Sequence, residues 1–385
     1  MKKLAIIGGG RMASIFSKNA REMNIETHCF SLKKGIVDLS SFDYVHDINI
    51  LEKEELLEIC RSLNINGVVA TTELTISVAA YVADKMKLNG IPLDIANVIT
   101  DKNRNRLATR NVSGLMHPGF SVVDSIQEVI DLDFKYPIIL KPISKGGKRG
   151  ISVIYSKEDI ENAFSYSKKD SGDNQYFIVE EYIENGIECS VESLSYNGKN
   201  YIIQITEKIT SGAPHCVELA HHQPANLSDT VKKKIEDVLD EALTRLGIKN
   251  GACHTEIKIK DDEIYLIEFN ARPGGDHIAY PLTELSTGYS YIKGAINIAL
   301  NEFNRIEKEN FKNKYAGVFF VCKQTQQLKP LFDVCENYKW CYKKNYVSDE
   351  LVSIIHNDGF NINYFIYCDN KRPDFKNLSN NVNDL

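Results

Sequence analysis

No apolar run in this 385-residue chain approaches the roughly 20 residues needed to cross a bilayer, so no membrane-spanning helix is expected. Paired cysteines are missing as well. Nine cysteines are scattered along the chain without one Cys-x-x-Cys, which suits reduced thiols better than a zinc site or a disulfide framework. Positive charge is not in excess: 46 Lys and Arg against 52 Asp and Glu give a net charge of -6. That balance argues against nucleic acid as a partner, although a local basic groove remains open. Internal repeats and low-complexity segments are absent. The start has a basic flank, Lys2-Lys3, but its apolar run Leu4-Ala5-Ile6-Ile7 is cut short by glycines. It reads as a first strand rather than a signal peptide. The expectation is a soluble, cytoplasmic α/β protein of two or three domains.

What is present begins with alternating strand and helix signals over residues 1–100. Strands are expected at 4–7, 27–30 and 67–71, and helices at 12–23, 53–63 and 74–87, as in a parallel sheet covered by helices. Gly8-Gly9-Gly10-Arg11-Met12-Ala13 fits G-x-G-x-x-A, so a dinucleotide site must be weighed. The second strand runs into Ser31-Leu32-Lys33-Lys34, with no carboxylate to hold ribose hydroxyls. A glycine turn that serves close strand–helix packing is the better reading. A second unit begins near Asp101-Lys102. It holds strands at 136–141, 151–155 and 176–182 and a capped helix at 156–168. Strands at 188–195 and 201–207 flank Asn197-Gly198, a strong hairpin signal. An amphipathic helix spans 228–246 and another helix 289–300, and strand-like runs over 315–370 read as a small C-terminal β-rich module.

The most informative segment is Glu268-Phe269-Asn270-Ala271-Arg272-Pro273-Gly274-Gly275, with Glu256 upstream. Residues 251–260 and 264–270 read as two strands joined by Asp261-Asp262-Glu263. Such a hairpin can bring Glu256, Glu268 and Asn270 together. Two carboxylates and an amide oxygen are the hard ligands that Mg²⁺ prefers, and Arg272 adds a fixed cation. The alternative is an exposed hairpin with ordinary surface charges.

The loop Ser144-Lys145-Gly146-Gly147-Lys148-Arg149-Gly150 lacks the Lys-Ser/Thr and following helix of a Walker A motif. Its glycines can bring backbone N–H groups to phosphate oxygens while the lysines neutralise charge, as in a mobile flap; a surface hairpin is the other reading. Residues 179–188 join two strands and can offer backbone groups to an adenine edge, with Glu188 placed for ribose hydroxyls. An acidic interstrand loop has the same look.

Taken in order, Lys102, the 141–150 loop, residues 180–188, Glu256 and the Glu268-x-Asn270-x-Arg272 motif resemble the ATP-grasp superfamily, over about residues 1–310. Within it, Asn270-Ala271-Arg272-Pro273-Gly274-Gly275-Asp276-His277-Ile278 and Val217-Glu218-Leu219-Ala220-His221-His222-Gln223-Pro224-Ala225 are similar to the carboxylate–amine ligases that include bacterial L-amino-acid ligases.

The resemblance implies an N-terminal Rossmann-like parallel-sheet domain (1–100), a lid subdomain (101–185), an α+β core with the metal site (186–310) and the small C-terminal module (311–385). It also implies that Lys102 and Lys141 contact ATP phosphates under a lid containing Lys145, Gly146, Gly147 and Lys148. The backbone of Glu181, Tyr182, Ile183 and Glu184 would read adenine, and Glu188 would hold ribose. Glu256, Glu268 and Asn270 would bind Mg²⁺ or Mn²⁺, and Arg272 would support the reacting centre. The lid sequence departs from the serine-rich versions of many members, which leaves its contacts open.

Substrate residues are less legible. His221 and His222, read as a loop after Lys208-Ile209-Thr210-Ser211-Gly212, can orient a carboxylate or act as a base, or be structural. Glu73 can anchor a substrate ammonium or cap a helix, and Asp276 and His277 are further candidates. The expected activity is ATP-dependent joining of a carboxylate, an amino acid, to an amine, with ADP released. The partners are then small molecules rather than nucleic acid or membrane, with a homodimer possible. A purine-pathway ATP-grasp enzyme and a non-catalytic ATP-binding regulator are the alternatives. A biotin carboxylase fits less well, because that family's longer glycine lid is missing.

Overall fold

Four short apolar strands open the chain and pair in parallel. These are β1 (Lys3–Ile7), β2 (Glu26–Ser31), β3 (Tyr44–Asp47) and β4 (Gly67–Ala70), in the order β3-β2-β1-β4. The computed structural model describes residues 1–143, 146–172, 175–357 and 359–373. Helix α1 (Arg11–Glu22) buries Met12, Ala13, Phe16 and Ala20, the spacing of one helical face, against this sheet. After α2 (Lys53–Leu63) comes α3 (Glu73–Met86), started by Thr72. The Thr75 hydroxyl accepts from the Thr71 and Thr72 N–H groups, at 2.9 and 3.0 Å, and so fixes where Glu73 begins the helix.

Two short helices, α4 (Leu93–Ile99) and α5 (Lys102–Thr109), lead from this layer to β5 (Leu115–Met116), which joins the central sheet. A separate antiparallel sheet follows: β6 (Phe120–Val123), β7 (Ile138–Pro142), β8 (Ser152–Ile154) and β9 (Phe177–Glu181), in the order β6-β9-β7-β8. Helices Ile126–Asp131 and Ile160–Ser171 cover it, around a core that includes Val129, Ile138, Leu140, Phe164 and Phe177.

The largest layer is a nine-stranded sheet. It contains β10 (Ile187–Tyr196), β11 (Lys199–Thr210), β12 (Glu218–Gln223), β13 (Gly251–Lys260), β14 (Glu263–Asn270), β15 (Tyr315–Val321), β16 (Cys341–Asn345) and β17 (Asn363–Asp369). Their order is β16-β17-β15-β12-β11-β10-β13-β14-β5. Asn197 and Gly198 turn β10 into β11 with φ of 51° and 78°, the left-handed pair that a two-residue hairpin requires. Helix Asp229–Leu246, capped by Ser228, buries Ile235, Leu239, Ala242 and Leu243 on the sheet.

Two sequence expectations change here. The C-terminal strands do not build a sheet of their own: β15 pairs with β12, Ala220 opposite Phe319, and extends the central sheet. Val318, Phe319 and Phe320 are all buried, so both faces of β15 are covered, which a small free-standing module would not provide. His221 and His222 lie within β12, not in a loop, and alternate to opposite faces.

Leu239 is fully buried in the main core. Leu239→Ala is expected to lower unfolding free energy by about 2–5 kcal/mol in urea denaturation, and a loss well under about 1 kcal/mol would contradict this packing.

Candidate active site

The site is built from a strand register. In the antiparallel pair β13–β14, Glu256 lies opposite Glu268 and His254 opposite Asn270. Since alternate residues share a face, these four side chains project from the same side of the sheet. Two carboxylates placed opposite one another repel, and each is met by an ammonium. Lys102 Nζ is 2.7 Å from Glu268 Oε1, and Lys208 Nζ is 2.8 Å from Glu256 Oε1. Burial opposes ionisation of Glu256, but Lys208 and His254 hold its carboxyl well below the usual range. Burial likewise disfavours charge on Lys102, and Glu268 reverses the effect and raises its pKa.

His254 bridges two acids. Its Nδ1 pairs with buried Glu192 and its Nε2 lies 3.4 Å from Glu256 Oε1. Against the cost of burial, Glu192 foremost lifts His254 to about 9. Glu192 also accepts from the Gly274 N–H at 3.0 Å. A Cβ on Gly274 would come within 2.6 Å of His254 Nδ1, so the first glycine of the Pro-Gly-Gly run is there for close approach. Arg272, just past β14, pairs with Glu73 at the start of α3 and donates from Nη1 to the Pro273 carbonyl at 2.9 Å. Burial works to raise Glu73, and Arg272 outweighs it. Glu73 is therefore a partner of Arg272 rather than a free anchor for an ammonium.

At the opposite end, Glu180 on β9 is buried between Lys141 on β7 and Arg106 on α5, the latter at 2.7 Å. Desolvation raises the Glu180 carboxyl, yet Arg106 and Lys141 pull it down to about 2. From the lid loop, Lys148 Nζ reaches Glu188 Oε1 at 2.7 Å, and a Cβ on Gly146 would strike the Glu73 carboxylate. The loop thus lies against the site. Lys145 falls outside the described residues.

The adenine-side expectation narrows. The N–H of Glu181 donates to the Gly119 carbonyl at 2.9 Å and that of Tyr182 to the Pro137 carbonyl at 3.1 Å. Ile183 is the next residue of this segment that lines the cavity, and Glu184 is not among the lining residues.

These elements enclose a cavity of about 490 Å³. Lys102, Lys141, Gly146, Gly147, Lys148, Glu181, Tyr182, Ile183, Glu188, Glu256, Glu268 and Arg272 all line it, as do Glu73 and Asp276. Asn270 and His221 are buried and do not line it. His222 faces away, its Nδ1 3.0 Å from the Tyr367 hydroxyl. His277 packs on Phe360, ring centroids 4.5 Å apart. Sequence reading missed Lys208, Glu218, His254, Glu192, Glu180 and Arg106. A signal existed for those on strands: polar residues at every second position of a strand, as Glu188, Ser190 and Glu192 around Cys189 and Val191, mark a covered polar face.

Residues 134–280 match the ATP-grasp domain family. Among curated relatives, the carbamoyl phosphate synthase large chain of Pseudothermotoga lettingae is 28% identical over 230 residues, 58% of this chain and 20% of that protein. This chain therefore spans about a fifth of that relative's length. The formate-dependent phosphoribosylglycinamide formyltransferase of Wolinella succinogenes is 24% identical over 275 residues, 70% of each chain. Among solved structures, an L-amino acid ligase from Bacillus licheniformis aligns with a TM-score of 0.79 at 19% identity, covering 98% of this chain and 96% of that one.

Because Glu180 titrates far lower folded than unfolded, its stabilising contribution is complete above about pH 4.5 and is lost as the pH falls toward about 2. Glu180→Gln is expected to cost roughly 3 kcal/mol at neutral pH and to flatten that acid limb in urea titrations. An unchanged acid limb would refute the pairing.

Proposed function

We propose that this chain, which carries an ATP-grasp domain at residues 134–280 within an ATP-grasp fold, is an ADP-forming ligase joining a carboxylate to an amine through an acyl phosphate. The favoured carboxylate is an amino acid. One observation carries the reading: Glu256 and Glu268 face each other across β13–β14, with Arg272, Lys102 and Lys141 lining the same cavity.

The donors fit a hard divalent cation. Both carboxylates already associate with ammonium groups, and the Asn270 amide lies on the same strand face. Glu256, Glu268 and Asn270 would hold Mg²⁺ or Mn²⁺, which would neutralise phosphate charge and orient the terminal phosphoryl group. Lys102 and Lys141 are placed to donate to phosphate oxygens, and the backbone of Gly146 and Gly147 can add N–H donors from the lid. Glu188 is the ribose acceptor in this reading, with Lys148 leaving it for the phosphates. Ile139, Ile151, Ile183 and Ile267 supply apolar cavity wall for a base.

In the reaction, a carboxylate oxygen of the substrate attacks the terminal phosphorus of ATP, the bridging P–O bond breaks, and ADP leaves. The amine nitrogen then attacks the acyl carbon, the C–O bond to phosphate breaks, and the nitrogen gives up a proton. Arg272 stabilises the oxyanion that forms between these events, held in place by Glu73. Closure of the 146–150 loop keeps water from the acyl phosphate. A purine-type ATP-grasp activity is the second reading, supported by similarity to the formyltransferase over 70% of both chains.

Purified protein with Mg²⁺, ATP and pooled amino acids is expected to release ADP and phosphate; AMP would refute the mechanism. Glu268→Ala and Arg272→Ala should each lower turnover by about a hundredfold or more in protein that still unfolds cooperatively, with the melting temperature lowered by the loss of an ion-pair partner. Near-normal turnover in either variant would overturn the site assignment.

A further inference from the structure

Glu188 sits between two lysines of the central sheet. In the register of β10, Lys208 of β11 and Lys258 of β13 both lie directly opposite it. Directly opposite residues of antiparallel strands have Cα atoms about 4.5–5.5 Å apart, so either ammonium can reach the carboxylate by side-chain rotation alone. Lys258 does not take it. Its ammonium lies over the Tyr182 ring, 5.0 Å from the centroid, and makes no ion pair or hydrogen bond with a described residue. The carboxylate is held instead by Lys148 of the lid loop at 2.7 Å, with Lys208 more distant at 3.9 Å.

Lys258 nevertheless belongs to the cavity. It is half-buried and lines the wall together with Glu188, Tyr182 and Ile183. It lies two residues beyond Glu256, on the same face of β13. Its surroundings are fixed. A Cβ on Gly186 would come within 2.9 Å of Lys258 Cγ, and the Tyr182 hydroxyl is 3.6 Å from Cys216 Sγ. The ammonium is thus kept on an aromatic face, one strand away from an acid that another lysine occupies.

Departure of Lys148 is what would draw it across. Lys208 is already engaged by Glu218 at 2.6 Å and Glu256 at 2.8 Å. Once Lys148 turns to a phosphate, the Glu188 side chain, only 12% exposed, keeps no more than a shared ammonium at 3.9 Å. A covered carboxylate without its cation is costly. The face of a tyrosine gives an ammonium less than such a carboxylate does, so Lys258 gains by moving.

We propose that Lys258 is a positioning residue for the nucleotide: as ATP draws Lys148 to its phosphates, Lys258 moves from Tyr182 to Glu188 and keeps that carboxylate ionised and turned to the ribose hydroxyls. This rests on the reading of Glu188 as the ribose acceptor. It joins lid closure to ribose recognition, since the lysine that leaves Glu188 comes from the lid and its replacement comes from β13.

The test is calorimetric binding of ATP and of 2′,3′-dideoxy-ATP, which lacks both ribose hydroxyls, to the full chain with Mg²⁺ and no acid substrate. Wild-type protein is expected to prefer ATP by about tenfold or more. Lys258→Met keeps the apolar stem beside Gly186 and Tyr182 and should weaken ATP binding about tenfold, with the dideoxy nucleotide unchanged. Lys258→Arg restores the charge and should restore the preference. In a Glu188→Gln background, Lys258→Met should cause no further loss, as expected of a residue that acts through Glu188. A merely structural role would weaken both nucleotides alike. That result, a preference that survives Lys258→Met, or a wild type indifferent to the hydroxyls overturns the exchange. A Lys258-dependent preference without ADP release from any acid and amine would support the exchange and sink the ligase reading alone. Amino-acid-stimulated ADP release, with a preference that survives Lys258→Met, would sink the exchange alone.

Discussion

The buried carboxylate of Glu180 ties three layers to one point. It sits on β9 and takes Lys141 from the neighbouring strand of the lid sheet and Arg106 from α5. Arg106 in turn donates from Nη1 to the Leu266 carbonyl of β14 at 2.6 Å. The lid sheet is thereby referenced to the strand that carries Glu268 and Asn270. Burying three charges is expensive, and the arrangement holds because both carboxylate oxygens have cationic partners and Arg106 satisfies a further backbone acceptor. An apolar trio of equal volume could fill this space, but it would not fix Lys141 where a phosphate can reach it.

The same pattern continues along the cavity. Acids and bases alternate from Lys102 and Glu268 to Lys208 with Glu256 and Glu218, and on to Lys148 and Glu188. These pairs position charged groups before any ligand arrives, which is what phosphoryl transfer asks of a protein. In the proposed ligase, a lysine that turned to a phosphate would share or leave its carboxylate, freeing the acids that this reading assigns to metal and ribose. The cavity is thus held in order by contacts that ligand binding would exchange rather than add. Closure has its own link: the Asn357 N–H donates to the Gly147 carbonyl at 3.2 Å, and the Asn357 side-chain oxygen accepts from the Glu218 N–H at 3.0 Å. A loop between β16 and β17 therefore bridges the glycine lid and the first residue of β12.

Much of the fold was legible because it depends on local pattern. The parallel strands at the start, the Asn197-Gly198 hairpin and the helix after Ser228 follow from periodicity, turn chemistry and capping. The Glu256–Glu268–Asn270 cluster was legible too, since strand alternation fixes which residues of a hairpin share a face. Misread elements were those whose state depends on distant partners. His221 and His222 follow glycine and polar residues and look like loop, yet β11 on one side and β15 on the other make them a strand. The last strands look like a separate module until their pairing with β12 is known.

By itself, then, the sequence determined the type of chemistry: a carboxylate–amide–arginine motif on a hairpin, a glycine lid and lysines in workable order. Residue type and local spacing are enough for that, because a hairpin's register and a loop's flexibility are short-range properties. Only the tertiary structure decided which charges cancel. Glu73 belongs to Arg272, Glu180 to Arg106 and Lys141, and Lys208 to several acids at once, across separations no spacing rule reaches.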